Sequence, residues 1–269
     1  MFSLTIPKPC LSALKLAGII GPPAKPSSTT STKRALGENI EFTNDGALGI
    51  TVYQAGRKGS ASTADLSEDA LVSTVKAAVD IARYTSVDKC SGLADKALLA
   101  MTPPDLDLHH GHELSTDDAI DIAKRCEAAG FSGDERLTNS DGANFSAYEG
   151  FKVYGNSHGQ IVGYPSSRYS LSCVLIASEN EEMQRDYAYA VNRKFDALQS
   201  AEVVGKNAAA EVLARLNSRK ISTGKARVMF RSDVASSLFG HLVSAISGGN
   251  LYRKSSFLLD ALGEQIFPD

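Results

Sequence analysis

The apolar positions of this chain change period along its length, and the changes mark the elements. Residues 47–54 alternate as a half-buried strand does, Ala55-Gly56 is a turn pair, and residues 57–63 return as a second strand. From Ser67 the period lengthens. Ala70, Leu71, Val75, Ala78, Val79 and Ala82 recur at helical spacing, behind Ser67 as N-cap and Glu68 and Asp69 at the positive end of the dipole. A Pro-containing connection, residues 102–107, leads to a second helix. Ser115 caps it, Asp117 and Asp118 fill its first turn, and Ala119, Ile120, Ile122, Ala123 and Cys126 form its buried stripe. Five closely spaced strands follow at 145–148, 151–154, 160–164, 169–177 and 185–191, which predicts an antiparallel meander. Residues 201–216 are Ala-rich and helical by propensity. A short strand is expected at 227–231, then a helix over 233–246 that Gly248-Gly249 stops. The fold class expected is α+β, with helices packed on a largely antiparallel or mixed sheet.

Composition narrows the class further. The chain has 269 residues, 43% hydrophobic and 22% charged, the balance of a soluble globular protein. A net charge of −3 gives no general attraction to nucleic acid or an anionic membrane. Cys10, Cys90, Cys126 and Cys173 are far apart, with no C-x-x-C pair, which fits a reducing cytosol. No apolar run reaches the roughly 18 to 20 residues that cross a membrane. Residues 1–38 stand apart: they hold no acid before Glu38, and Pro22, Pro23, Pro26 and the Ser/Thr tract of 27–32 resemble a linker. Lys15 interrupts their apolar segment and no cleavage site follows, so a secretory signal is not expected. Disorder or a mis-started N-terminus is the plain reading, with an organelle transit peptide as the alternative.

Four local patterns offer chemistry. Gly155-Asn156-Ser157-His158-Gly159 matches the G-x-S-x-G nucleophile elbow, which needs a strand before it and a helix after it. Here a strand is expected on both sides, so a hairpin turn explains the same letters. His109-His110-Gly111-His112-Glu113 could begin H-E-x-x-H, but position 116 is threonine and the run precedes the helix. Ser73 and Lys76 fit S-x-x-K in the middle of an ordinary helix. Arg253 and Lys254 could bind a peptide carboxylate or simply be a solvated basic pair.

Longer runs resemble a known family. They are residues 41–53 (EFTNDGALGITVY), 80–85 (DIARYT), the turn 153–159, 185–189 (RDYAY), 239–243 (FGHLV) and 251–260 (LYRKSSFLLD). In this order, from about Asn39 to Asp269, they resemble the TldD/PmbA family, and within it the PmbA (TldE) type of subunit. The resemblance implies a cytoplasmic complex of two related subunits that degrades or trims peptides, including microcin precursors and small unfolded proteins. The TldD-type partner carries zinc on H-E-x-x-x-H, where neutral histidines ligate the metal and the glutamate takes a proton from bound water. Positions five apart on a regular helix are turned by roughly 140°, so the second histidine must lie where the helix ends or bends.

Laid on this chain the zinc motif begins at His241, with Leu242 at the glutamate position and Ile246 at the second histidine. Leucine cannot accept a proton and isoleucine cannot ligate. No metal, cofactor or catalytic residue is therefore expected in this chain, and zinc is expected in the partner. His241 reads as a satisfied buried histidine or a polar residue near a subunit or domain contact. The implied organisation is a leader (1–38), a first N-terminal α/β segment (39–105), a central α+β segment (106–220) and the truncated start of a β-rich C-terminal domain (221–269). Family members carry a helix and a strand before Phe42. Their replacement by the leader is expected to leave an unpaired sheet edge. The expected function is that of a non-zinc subunit of a heterodimeric metallopeptidase, inactive alone. The alternatives are a peptide-binding or chaperone-like module without a proteolytic partner, or an inactive gene fragment.

Overall fold

The computed structural model describes residues 27–33 and 36–267, and the chain divides into two units, Met1–Ser218 and Arg219–Asp269. In the first unit the strands are β1 (Ser27–Lys33), β2 (Leu36–Thr43), β3 (Leu48–Gln54), β4 (Arg57–Thr63), β5 (Leu137–Gly155), β6 (Ile161–Glu179) and β7 (Glu182–Asn192). Its helices are α1 (Glu68–Tyr84), α2 (Thr116–Phe131) and α3 (Ala201–Leu213). The architecture is α+β, with helices packed on antiparallel sheets.

β3 and β4 form a two-stranded sheet of their own. Ala55 and Gly56 turn it, both at positive φ (50° and 74°), which matches the twist of a tight hairpin. α1 lies across β4, where a Cβ on Gly59 would stand 2.0 Å from the Ala78 carbonyl oxygen. Only a residue without a side chain allows that approach. Leu71, Ala78, Val79 and Ala82 bury the facing stripe of α1. Ser67 caps the helix by accepting the Ala70 N–H.

The larger sheet has the order β2-β1-β5-β6-β7, antiparallel throughout. α2 and α3 cover one face of it. Ser115 and Asp118 form a reciprocal capping box at the start of α2, each accepting the other's backbone N–H. The core between sheet and helices is built on Phe145, Tyr169, Leu171, Leu175, Val204 and Val212. Each such apolar side chain contributes about 1.5–3 kcal/mol on leaving water.

Several expectations are corrected. Residues 27–33, assigned from composition to a disordered leader, run as β1 between β2 and β5, and β2 begins at Leu36. Thr29, Thr30 and Thr32 are β-branched and favour extended backbone, a preference the low-complexity reading outweighed. The sheet edge expected to be unpaired is therefore filled. Expectations for residues 1–26, Cys10 among them, lie outside the described residues. The four short strands of the central meander are two long ones. Their apparent breaks meet in register, Gly150 opposite Ser166 and Phe151 opposite Pro165, so the ladder runs through. Pro165 lies beyond the part of β6 that pairs with β7, where a missing N–H is tolerated.

The second unit contains α4 (Ser232–Ala245) and α5 (Gly248–Tyr252), and no strand among its described residues. The strand expected at 227–231 is irregular and exposed, since a lone segment has no ladder to join. Gly248 and Gly249 open α5 rather than stopping α4, which ends at Ala245 with Ile246 as its C-cap.

Candidate functional site

α4 and its C-cap carry His241, Leu242 and Ile246, the three positions on which the sequence reading lays the zinc motif. His241 and Ile246 are exposed and Leu242 is half-buried. Ile246 is the C-cap, in αR conformation, with its N–H donating to the Leu242 carbonyl at 3.0 Å. The helix thus ends at the position five residues beyond His241, which brings the backbone of that position back toward the last turn. The side chains at these three positions are one imidazole, one isobutyl and one sec-butyl group, of which only the imidazole can ligate a metal. His241 is not the buried histidine anticipated from the sequence. Among the described residues, no group of three His, Cys, Asp or Glu side chains gathers to hold a metal ion.

The histidine run is a strap tied down by its backbone. His110 donates its N–H to Ser167 Oγ at 2.8 Å, and Tyr169 Oη donates to the His110 carbonyl at 3.1 Å. The imidazoles diverge. His109 faces Glu149 at 3.8 Å, His110 faces Asp107 at 3.5 Å, and His112 stacks on Phe195 with centroids 4.2 Å apart. Burial raises the pKa of Tyr169, whose hydroxyl therefore stays a donor. Sequence reading missed Ser167, which organises this region. It is fully buried, its Oγ donates to the Arg193 carbonyl at 2.7 Å, and its N–H donates to the Leu108 carbonyl at 2.9 Å. In the sequence it is only the second of two adjacent serines, Ser166 and Ser167, between Pro165 and Arg168.

Gly155–Gly159 is a hairpin turn between β5 and β6 rather than a nucleophile elbow. Asn156 Oδ1 accepts the backbone N–H of His158 and of Gln160, and Gly159 supplies the positive φ of 86°. Ser157 is exposed at its tip. Ser73 and Lys76 point to solvent from α1, while Thr74 between them is buried and bonded to the Ala70 carbonyl. Arg253 is occupied locally, donating to Asn250 Oδ1 at 2.8 Å. No helix among the described residues is long and apolar enough to cross a membrane.

Comparison with known proteins places these features in a family. Residues 38–82 match domain 1 of the PmbA/TldA metallopeptidases, residues 109–216 the central domain and residues 223–269 the C-terminal domain. Metalloprotease PmbA of Escherichia coli O157:H7 is 56% identical over 241 residues, 90% of this chain and 54% of that protein. The Metalloprotease PmbA homolog of Haemophilus influenzae is 53% identical over 232 residues, 86% of this chain and 51% of that protein. The chain therefore spans about half the length of these curated relatives. A Bacteroides thetaiotaomicron structure described as a candidate modulator of DNA gyrase superposes with TM-score 0.81. It is 25% identical, over 95% of this chain and 61% of that one. TldE from Thermococcus kodakarensis shares the fold at TM-score 0.63 and 13% identity, over 93% of this chain and 58% of that one. The three domain matches in order, with the identity to the curated relatives, establish that this chain belongs to the PmbA/TldD metallopeptidase family, as a PmbA/TldE-type member.

Proposed function

We propose that this chain is the zinc-free subunit of a cytoplasmic, two-subunit metallopeptidase that trims peptides and unfolded segments. One observation carries the reading. Laid on α4 from His241, a motif of the H-E-x-x-x-H kind puts Leu242 where a proton acceptor is needed and Ile246, the C-cap, where a second ligand is needed. A single exposed imidazole neither fixes a zinc ion nor activates its water. In this reading hydrolysis belongs to a zinc-bearing paralogue, and this chain holds and orients the peptide beside it. The relatives named Metalloprotease PmbA and the fold shared with a TldE support the assignment.

The test is reconstitution. The full-length protein is mixed with its H-E-x-x-x-H paralogue, and cleavage of an unfolded peptide is followed together with zinc content. Cleavage is expected only with both subunits, and zinc only in the paralogue. Hydrolysis by this protein alone with stoichiometric zinc overturns the reading. Peptide binding by this protein without any enhancement of the paralogue points instead to a free-standing peptide-binding module.

A further inference from the structure

β7 is an edge strand, and the face of the sheet that α2 and α3 leave uncovered carries an ordered lane. Alternation sends Ala188 and Ala190 toward the core and Tyr187, Tyr189 and Val191 to the other side. Tyr187 and Tyr189 stack with centroids 6.2 Å apart and are 53% and 57% exposed. Ser172 pairs with Tyr189 and Ser170 with Val191, so β6 continues the lane as a polar floor.

The two ends of the lane differ in charge. At one end Arg185 is neutralised by Asp141. At the other, Arg168 and Arg193 line a shallow pocket of about 330 Å³ together with Val191 and Asn192. Among the described residues neither guanidinium forms an ion pair, although Arg125, Arg136, Arg185 and Arg215 all do. The backbone beneath them is fixed through the bond from Ser167 to the Arg193 carbonyl. Asn192 is already engaged, accepting from the Lys194 N–H at 3.0 Å and donating to the Ala197 carbonyl at 3.1 Å. The donors left to the pocket are two guanidinium forks, whose planar geometry matches a carboxylate bidentately.

We propose that the Arg168–Arg193 pocket binds the C-terminal carboxylate of an extended peptide, with apolar side chains lying along Val191, Tyr189 and Tyr187. This rests on the peptide-handling reading above and adds an orientation to it. The charge asymmetry of the lane admits the chain with its C-terminus at Arg168 and Arg193. The paired Arg185 end offers the peptide terminus no free charge.

The experiment uses the full-length protein and a fluorescein-labelled apolar pentapeptide, made once with a free C-terminal carboxylate and once as the amide. Fluorescence anisotropy gives both affinities. The acid is expected to bind at least about tenfold more tightly than the amide. The double variant Arg168→Gln, Arg193→Gln is expected to bring the acid down to the level of the amide. Tyr189→Ala is expected to weaken both forms equally. Both arginines are exposed, and an unchanged thermal melt of the double variant shows that the fold is kept. Equal affinity for acid and amide, no binding of either, or a preference that survives the double variant overturns the proposal. Displacement of the acid peptide by inorganic phosphate at the same concentration identifies a general anion site and also overturns it. If the reconstituted enzyme cleaves while the acid shows no preference, the pocket alone is wrong. If reconstitution itself fails, the subunit reading falls.

Discussion

Gly205 of α3 sits so close to Cys126 of α2 that a Cβ on the glycine would stand 2.0 Å from the Cys126 carbonyl oxygen. Gly130, one turn further on, is less confined: a Cβ there would stand 2.7 Å from Leu175 Cδ1 and 3.3 Å from the Gly205 carbonyl oxygen. The two helices cross backbone against backbone, and neither can move away without opening the core under it. Gly205→Ala is expected to cost about 3 kcal/mol, the upper range for overpacking. Gly240→Ala on α4, where nothing lies within 4 Å, is expected to be neutral or to gain up to about 1 kcal/mol from helix propensity. Urea unfolding of the two variants checks the contrast.

The buried serine of β6 gives a second prediction. Ser167→Ala removes the acceptor of the His110 N–H and the donor to the Arg193 carbonyl in one change. Two part-buried backbone groups lose their partners, so a loss of about 1–3 kcal/mol is expected. Amide hydrogen exchange should rise at residues 108–112 and at 193–194 before it rises in β5. Unchanged exchange in the strap would mean that the other contacts hold it without Ser167.

Acid should loosen the connection between α2 and β5. The Arg136 guanidinium donates to Asp134 at 2.7 and 2.9 Å and lowers its carboxyl pKa from 3.8 to about 2. Because the folded value lies below the ordinary one, the stabilisation is complete above pH 3.8 and is lost as the pH falls toward 2. Following the Asp134 carboxyl carbon by NMR should give a midpoint near 2, and Arg136→Gln should return it toward 3.8. A midpoint that stays low in that variant would assign the shift to the backbone instead.

The thiols divide by environment. Cys126 and Cys173 are fully buried and share a hydrogen bond. That bond first, and burial second, push the Cys126 thiol far above its usual value. A raised folded pKa favours the neutral thiol, so this contribution is intact below pH 9.0 and drains at higher pH. In a Cys10→Ser background, a thiol reagent at pH 8 should modify exposed Cys90 at once. It should reach the other two only on unfolding. Rapid labelling of three thiols in the native protein would contradict the packing.

Much of the first unit was legible in the sequence. Ser67 and Ser115 announce their helices because a cap is a local device, settled within three or four residues of chain. The Ala55-Gly56 turn is legible for the same reason. What escaped depends on distant pairing: Gly150 and Ser166 look like breaks until they are set opposite one another, and Ser167 looks idle until Leu108 and Arg193 arrive beside it. Laying the zinc motif on His241, Leu242 and Ile246 rests on family resemblance alone, since nothing in the period of α4 distinguishes Leu242 from any other apolar helix position. The arginine pocket escaped because Arg168 and Arg193 are 25 residues apart and meet only through the pairing of β6 with β7.

The place of β1 in the sheet carries a consequence for how the chain reaches its native form. β5, β6 and β7 are joined by short turns and can zip together as local hairpins. Thr30, however, must find Phe145 across about 115 residues of intervening chain, and β2 is attached to the sheet only through β1. Closing so long a loop is slow, and the cost is met before any contact rewards it. Of the described strands, the first in chain order is thus the one that joins β5 last. Until it does, the open flank of β5 is available to the same Ser/Thr segment of a neighbouring chain. Expression at low temperature and low concentration should therefore favour monomer over strand-exchanged dimer.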